Sequence, residues 1–221
     1  MYNKLQYISQ GESVEEQLYN IHQALDNGCD WIQMRFKHQK PKKAFALAEA
    51  IKFLCEEYLA NFIINDDVHL AKRINADGVH LGLKDMDIIE ARAILGKTKI
   101  IGATANTFED IVRQVNNGCD YIGLGPFKHT KTKNSLSPLL GFEGYRSITA
   151  KMKESQVDIP LYAIGGIALE DVNNLLNTGI HGIAVSGIIT KSEDKQELIT
   201  KKKKKLYGNT IIKDWRQNTE V

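Results

Sequence analysis

A regular alternation of short apolar runs with helix-like segments constrains this 221-residue chain more than any other feature. Runs of strand type, such as 62–64, 78–81 and 161–164, are each followed by a segment with helical spacing. About eight such units fill the chain without a gap. Because eight units close a (β/α)8 ring, the sequence predicts an α/β fold with a single TIM barrel. A doubly wound open sheet is the alternative fold.

A weak internal repeat supports this organisation. The segment NGCDWI at 27–32 recurs as NGCDYI at 117–122, and each is a helix end followed by entry into a strand. No linker or composition break divides the chain, so we expect one barrel domain over residues 1–221, with a basic C-terminal helix and extension from about residue 194. We expect the lysine run 201–205 to be a solvated face, and docking of an acidic partner is the alternative.

Composition leaves the function open but argues against several partners. The formal net charge of +2 gives no global attraction for nucleic acid or a membrane. Cys29, Cys55 and Cys119 form no CxxC pair, which favours buried free thiols and a reducing compartment. The first ten residues lack an apolar signal region, and no stretch reaches the length of a transmembrane helix. We expect a soluble cytoplasmic protein; the oligomeric state is open, and a homo-oligomer is compatible with the sequence.

Acidic and amide side chains stand where two neighbouring strands are predicted to end. Asn65 and Asp66 directly follow the run 62–64, and Asp85 follows the next strand beyond a turn at Gly82. Because parallel strands in a strand–helix–strand unit end on one face, these side chains can converge. Two carboxylates and an amide are oxygen donors that suit Mg²⁺. Helix caps and turns are the alternative reading of the same residues.

Cations, hydroxyls and glycines at the other strand ends predict a site with two anion-binding ends. In a barrel the active site lies at the C-terminal ends of the strands. Arg35 and Lys37 alternate at the end of a strand predicted over 31–37, so they face the same side. Glycines after the last strands allow backbone N–H groups to reach a phosphate at a helix N-terminus. One end comprises Arg35, Lys37 and Lys133 with the metal; the other comprises Gly166 and the pair Ser186 and Gly187.

Two phosphate-bearing substrates would satisfy both ends, and no side-chain base is evident. The chain contains no Ser-His-Asp or Cys-His arrangement, and its six histidines show no metal-ligand spacing such as HExxH. His80 lies inside the predicted strand 78–81. We expect it to be a buried histidine bonded to its neighbours; a catalytic histidine facing the lumen is the alternative.

The motifs FIINDD, ADGVHLGLKD, GCDYIGLGPF, TKTK, AIGGI and AVSG, in this order from about residue 31 to residue 187, resemble those of the thiamine phosphate synthase family. This family is a barrel that couples a pyrimidine methyl diphosphate to a thiazole phosphate. The resemblance implies that diphosphate leaves first and that the thiazole nitrogen attacks the resulting pyrimidine methylene cation. Such a step needs neutralised charge on the leaving group and two aligned reactants, and it needs no strong base.

Carried over residue by residue, the resemblance implies three groups of site residues. Asp66 and Asp85 would hold Mg²⁺ as the cofactor. Arg35, Lys37 and Lys133 are the catalytic candidates, because they would neutralise the leaving diphosphate. The substrate-binding residues implied for the pyrimidine diphosphate are Gln33, Arg35, Lys37, Asn65, Thr104 and Lys133, and those for the thiazole phosphate are Thr130, Thr132, Gly166, Ser186 and Gly187.

Several positions depart from the family pattern. Thr104 stands where serine is frequent, Phe36 where glutamate is frequent and Leu83 where glutamine is frequent. The eighth strand reads AVSG where the family more often has AVVSA, which can shift the assignment of Ser186 and Gly187 by one residue. These changes concern substrate positioning, and every implied metal ligand and diphosphate cation is kept.

Two other functions are compatible with the same resemblance. One is the related thiazole tautomerase, an isomerase that does not couple two substrates. The other is a non-catalytic barrel that binds a phosphate metabolite and docks an acidic partner through its lysine run. The carboxylates Asp66 and Asp85 and the loop 130–133 favour the synthase, because a tautomerase has no diphosphate to stabilise.

Overall fold

The structure is a computed structural model that describes residues 2–129 and 138–208. Within these residues, strands β1 to β8 pair in parallel in chain order, and β8 pairs with β1 to close a barrel. The predicted TIM barrel is therefore confirmed, and the open sheet is excluded. The strands are Leu5–Ile8, Trp31–Met34, Asn61–Asn65, Gly78–Leu81, Ile100–Ala105, Tyr121–Leu124, Leu161–Ile164 and Gly182–Val185.

Helices α1 to α9 surround the barrel, with two of them, α8 and α9, following the last strand. The strands read as nearly continuous apolar runs because each is covered on both faces, by helices outside and by lumen side chains inside. The helices are Val14–Asp26, Pro41–Glu57, Val68–Arg73, Ile88–Leu95, Phe108–Asn116, Gly141–Glu154, Asp171–Leu176, Gly187–Thr190 and Lys195–Tyr207.

Aromatic rings close the N-terminal half of the barrel. Trp31, Tyr121 and Tyr162 are buried, and their ring centroids lie 5.2 to 5.4 Å apart in edge-on contacts. Ile63 completes this cluster. Edge-to-face packing of large rings fills the lumen there, so the space left for a ligand lies at the C-terminal ends of the strands.

Strand β2 ends three residues earlier than the sequence predicts. The strand was expected over 31–37, but it stops at Met34 because the next amide, that of Arg35, donates to the Ser9 hydroxyl at 2.9 Å instead of continuing the ladder. The carbonyl of Arg35 accepts from Gln17 Nε2 at 3.0 Å. Arg35 and Lys37 therefore belong to the loop that follows β2.

The last helix, α9, begins after Asp194, whose carboxylate accepts from the Glu197 amide at 2.8 Å. The expectation that 201–205 is a solvated face is wrong for Lys202 and Lys203, which are 0% and 8% exposed. The reason is that α9 packs against α7, α8 and β1, and five consecutive lysines on a helix must place some side chains on that inner face. Residues 209–221 of the expected extension lie outside the described residues, and the domain boundaries stay a prediction.

Cys29 and Cys55 are buried free thiols, as expected, and Cys119 is partly buried. Burial raises the pKa of each thiol to about 12. These cysteines are therefore small packing side chains rather than reactive groups. Across 2–129 and 138–208, no helix has both the length and the apolar character of a membrane span.

Candidate active site

A cavity of about 1190 Å³ opens at the C-terminal ends of the strands. It brings together every predicted site residue that the structure describes, although these residues come from six different strand ends. Thr130, Thr132 and Lys133 lie outside the described residues. Those that line the cavity are Gln33, Arg35, Lys37, Asn65, Asp66, Asp85, Thr104, Gly166, Ser186 and Gly187.

Asp66 stands in an unusual backbone conformation directly after β3. Its φ of 67° lies in the left-handed region, which aspartate tolerates better than most residues. The Asp66 amide donates to the His80 carbonyl at 2.9 Å, and this bond holds the turn against β4. The carboxylate lies in the cavity, where its Oδ2 is 2.7 Å from the Lys37 ammonium.

Asp85 joins Asp66 at the same edge of the cavity. The Asp85 carboxylate accepts from the Gly82 amide at 2.7 Å, which closes the turn after β4. Burial raises the pKa of Asp85, and a hydrogen bond with the Asp66 side chain raises it further. The two carboxyl groups are therefore neighbours, and Asp66 disfavours the charged form of Asp85.

Helix capping was the alternative role considered for Asp66 and Asp85. In the structure, two neighbouring aspartates cap the helices instead. Asp67, next to Asp66, accepts from the Leu70 amide at 2.8 Å and caps α3. Asp87, two residues beyond Asp85, accepts from the Ile89 amide at 2.8 Å and caps α4. Among the described residues, Asp67 and Asp87 therefore cap these two helices, and Asp85 closes the turn at Gly82.

This pair of adjacent carboxylates is a donor set that fits Mg²⁺. A divalent cation would favour the charged form of Asp85, whose pKa is raised first by burial and then by Asp66. In the described ranges, with 130–137 and 209–221 left aside, no group of three or more His, Cys, Asp or Glu side chains could hold a metal. Mg²⁺ is commonly held by one or two carboxylates together with water and substrate phosphates, so the set fits a cation shared with a phosphate-bearing ligand.

An amide pair lies deeper on the same side of the cavity. Gln33 Nε2 donates to Asn65 Oδ1 at 2.7 Å. Gln33 is 2% exposed, and its Oε1 has no hydrogen-bond partner among the described residues. A buried oxygen of this kind is unfavourable unless a ligand or water donates to it. The two side-chain amides together line this side of the cavity.

His80 and Thr104 form the opposite side of the floor. The His80 ring is nearly buried, with Nδ1 3.0 Å from Tyr121 Oη and Nε2 3.1 Å from Thr104 Oγ1. This confirms the expectation of a buried histidine bonded to its neighbours. Both His80 and Thr104 line the cavity.

Glycines and backbone amides dominate the far end of the cavity, after β7 and β8. Gly166 has a φ of 66°, and a Cβ there would meet the His129 carbonyl oxygen at 2.7 Å, so a side chain would not fit. The Ser186 hydroxyl donates to the Ile8 carbonyl at 2.6 Å and is therefore engaged with the barrel. In α8 the Ile189 and Thr190 amides donate to the Ser186 carbonyl at 3.0 and 3.2 Å. The two amides before them, at Gly187 and Ile188, lie in the first turn, where a helix offers no carbonyl partner.

Five further polar residues line the cavity that the sequence analysis did not single out. Gln10 and Asn106 stand just past β1 and β5, so their position after a strand was a usable signal. Lys84 lies beside Asp85, and His129 precedes the loop 130–137. Lys191 follows α8 and belongs to no recognisable motif. The sequence analysis missed it because its place at the cavity depends on how this short helix packs.

A closed parallel barrel with a large cavity at the strand ends is the arrangement of (β/α)8-barrel enzymes. Residues 5–189 match the sequence model of the family described as thiamine monophosphate synthase. The chain belongs to this family, and the resemblance found in the motifs is confirmed.

Named relatives agree over nearly the whole chain. The thiamine-phosphate synthase of Flavobacterium johnsoniae is 66% identical over 212 residues, which cover 96% of this chain and 100% of that protein. That of Flavobacterium psychrophilum is 63% identical over 206 residues, 93% of this chain and 100% of the relative. Among solved structures, thiamine phosphate pyrophosphorylase from Pyrococcus furiosus has a TM-score of 0.80 and 32% identity, covering 92% of this chain and 95% of that one.

Proposed function

We propose that the protein is a thiamine-phosphate synthase, a transferase that joins 4-amino-2-methyl-5-(diphosphooxymethyl)pyrimidine to thiazole phosphate and releases diphosphate. Family membership and the names of the relatives support this activity. The observation that carries it in the structure is the meeting of Asp66, Asp85 and Lys37 at one edge of the cavity that also contains the amide-rich end at Gly166 and Gly187.

The diphosphate of the first substrate is bound at the charged edge. Asp66 and Asp85 would hold Mg²⁺, which when bound supplies positive charge to the leaving diphosphate. Arg35 and Lys37 contribute fixed positive charge in the same place. Lys37 is paired with Asp66 at 2.7 Å, so its ammonium is already held where the negative charge of the leaving group develops. Lys133 is assigned to the same group from the family motif alone.

The pyrimidine ring occupies the floor between the amide pair and Thr104. Gln33 and Asn65 approach it from one side and Thr104 from the other. Held at these points, the ring has its methylene carbon fixed, and diphosphate loss leaves a cation that is protected inside the cavity. The thiazole nitrogen then attacks that carbon. Alignment of the two reactants lowers the barrier without proton transfer by a side-chain base.

The phosphate of the second substrate is bound at the amide-rich end. Gly166 and Gly187 allow the ligand close to the backbone, and Ser186 is fixed by its bond to Ile8. Lys191 adds positive charge at this end of the cavity. Thr130 and Thr132 are assigned to the thiazole phosphate from the family motif.

The two alternatives account less well for these observations. A thiazole tautomerase has no diphosphate to stabilise. It would therefore not need the neighbouring carboxyl groups of Asp66 and Asp85, where burial and then Asp66 raise the pKa of Asp85. Docking of an acidic partner through the lysine run is weakened by the burial of Lys202 and Lys203, which removes two of its five charges from the surface.

The carboxylate assignment is tested by comparing matched variants in an assay of thiamine phosphate formation. Asp66→Asn and Asp85→Asn should each abolish Mg²⁺-dependent coupling while binding of thiazole phosphate, measured by calorimetry, persists. Asp67→Asn is the control, because asparagine caps helices about as well as aspartate, and it should keep the activity. Coupling that survives both Asp66→Asn and Asp85→Asn would refute the metal assignment.

A further inference from the structure

A chain of hydrogen bonds crosses the barrel lumen from β1 to the cavity. Gln6 Nε2 lies 3.1 Å from Tyr121 Oη, Tyr121 Oη lies 3.0 Å from His80 Nδ1, and His80 Nε2 lies 3.1 Å from Thr104 Oγ1. Gln6 and Tyr121 are each 1% exposed. Four strands, β1, β6, β4 and β5, thus contribute one member each, and the end formed by His80 and Thr104 lines the cavity.

Two glycines make room for the rings of this chain. A Cβ at Gly102 of β5 would lie 2.1 Å from the Tyr121 ring, and a Cβ at Gly123 of β6 would lie 3.1 Å from His80 Cε1. Both glycines lie within strands, where a residue with no side chain normally weakens the sheet. The lack of a side chain at these two positions therefore leaves the space that Tyr121 and His80 occupy.

The donors and acceptors of this chain can be assigned from one end. The Gln6 amide nitrogen carries hydrogens and no lone pair, so it donates to Tyr121 Oη. Burial raises the pKa of the Tyr121 phenol, which therefore keeps its proton. In the buried lumen that O–H needs an acceptor, and His80 Nδ1, at 3.0 Å, provides one. His80 then carries its proton on Nε2 and donates it to Thr104 Oγ1.

We propose that Gln6, Tyr121 and His80 are positioning residues that fix the Thr104 hydroxyl as a hydrogen-bond donor into the cavity. With a lone pair of Oγ1 occupied by His80 Nε2–H, the hydroxyl hydrogen of Thr104 points to a ligand. Thr104 then presents a donor to the cavity, which the Gln33 and Asn65 amide pair also lines. The ligand must offer an acceptor, such as a heteroaromatic ring nitrogen, to Thr104.

Thr104 stands where serine is frequent in the family. The hydrogen-bond chain therefore ends at a position that differs from the family pattern. The hydroxyl of serine or of threonine can be oriented in the same way, whereas valine has no hydroxyl to orient. The expected effect on affinity for the pyrimidine diphosphate rests on the proposed function. The assigned tautomer of His80 is independent of that function.

The tautomer is measured on the whole protein with no substrate, by ¹⁵N NMR of protein labelled at histidine. The His80 signals are identified among the six histidines as those absent from His80→Gln. The proposal predicts a neutral ring with the proton on Nε2 and none on Nδ1. A proton on Nδ1, alone or in a doubly protonated ring, would overturn the assigned direction, whatever the protein's activity.

The action through Thr104 is tested by a double-mutant cycle in which the dissociation constant and the KM for the pyrimidine diphosphate are measured. Tyr121→Phe and Thr104→Val should each weaken binding roughly three- to tenfold, the effect of one hydrogen bond. Because Tyr121 acts through Thr104, the double variant should be no weaker than Thr104→Val alone. Independent, multiplying losses would overturn the proposal.

Two comparisons separate positioning from a general loss of stability. Tyr162→Phe removes another lumen hydroxyl, which donates to the Asn3 carbonyl at 2.7 Å, and it should leave both the His80 tautomer and substrate affinity unchanged. His80→Gln, which can still donate to Thr104, should bind the pyrimidine diphosphate more tightly than His80→Leu. Equal weakening by glutamine and leucine would contradict the assigned role of Nε2.

Discussion

Neighbouring carboxylates in this protein have different surroundings and therefore different properties. Asp67 caps a helix and its carboxylate is satisfied by a backbone amide. Asp66, one residue earlier, lies in the cavity beside Asp85 and Lys37. The backbone at Asp66 is in the left-handed region, with φ of 67°. Strained conformations of this kind are concentrated at functional sites.

Replacing Asp85 should change how stability depends on pH and on Mg²⁺. The pKa of Asp85 is raised in the folded state, by burial first and by Asp66 second. A carboxyl with a raised folded pKa holds its proton more tightly when folded, so stability falls as pH rises from its ordinary value through its raised value. Asp85→Asn should remove that fall and raise the Tm of the metal-free protein at neutral pH.

The same variant should lose the increase in Tm that Mg²⁺ gives the unsubstituted protein, because a cation that binds only the folded state stabilises it. Thermal unfolding with and without Mg²⁺, with Asp67→Asn as control, measures both effects. An undiminished Mg²⁺ effect in Asp85→Asn would contradict the assignment of this carboxylate.

Lys191 should act on one substrate only. It is an exposed lysine at the amide-rich end of the cavity. Lys191→Ala should therefore raise the KM for thiazole phosphate roughly three- to tenfold, because it removes one charge-assisted hydrogen bond that is partly exposed to water. The KM for the pyrimidine diphosphate should not change. Lys97→Ala, an exposed lysine away from the cavity, is the control. Equal effects on both substrates would place Lys191 elsewhere in the reaction.

At the scale of the secondary-structure element, helix α9 combines exposed and buried lysines in one run. Lys201 and Lys204 are exposed, whereas Lys202 and Lys203 face the barrel. Lys203 pairs with Asp30 at 2.6 Å. The Nζ atom of Lys202 has no hydrogen-bond partner among residues 2–129 and 138–208. Composition alone predicts a solvated run, because the face that α9 buries depends on how it docks.

Lys202 should destabilise the fold at neutral pH. Burial lowers its pKa from 10.5 to about 8, which corresponds to about 3 kcal/mol at about 1.4 kcal/mol per pKa unit. Below pH 8 both folded and unfolded states are protonated and the full penalty applies; it disappears as pH rises from about 8 to 10.5. Lys202→Met should therefore raise the free energy of unfolding at pH 7, by less at pH 9, as measured by urea denaturation.

Lys203→Met should have the opposite effect. It leaves the Asp30 carboxylate without its ammonium partner, and the loss should be about 1–2 kcal/mol, less than for a fully buried pair because Asp30 is partly exposed. Lys204→Met, on the exposed face, should change stability little. Equal effects of the Lys202 and Lys203 substitutions would show that the run does not face the barrel as described.

At the scale of the whole molecule, the barrel could be predicted because every strand–helix unit repeats the same local pattern. Strand ends such as Asn65 and Asp66 were recognisable as site positions because the topology sends all eight ends to one face. Long-range packing could not be predicted in the same way. The early end of β2 depends on the Ser9 hydroxyl, and the hydrogen-bond chain to Thr104 depends on side chains from four strands.

Release of diphosphate by the purified protein tests the central claim most directly. The protein is given the pyrimidine diphosphate, thiazole phosphate and Mg²⁺ together, and then each is omitted in turn. We predict stoichiometric formation of diphosphate and thiamine phosphate only when all three are present. No diphosphate from the complete mixture, with thiazole phosphate still bound, would contradict the synthase and favour a tautomerase or a binding protein.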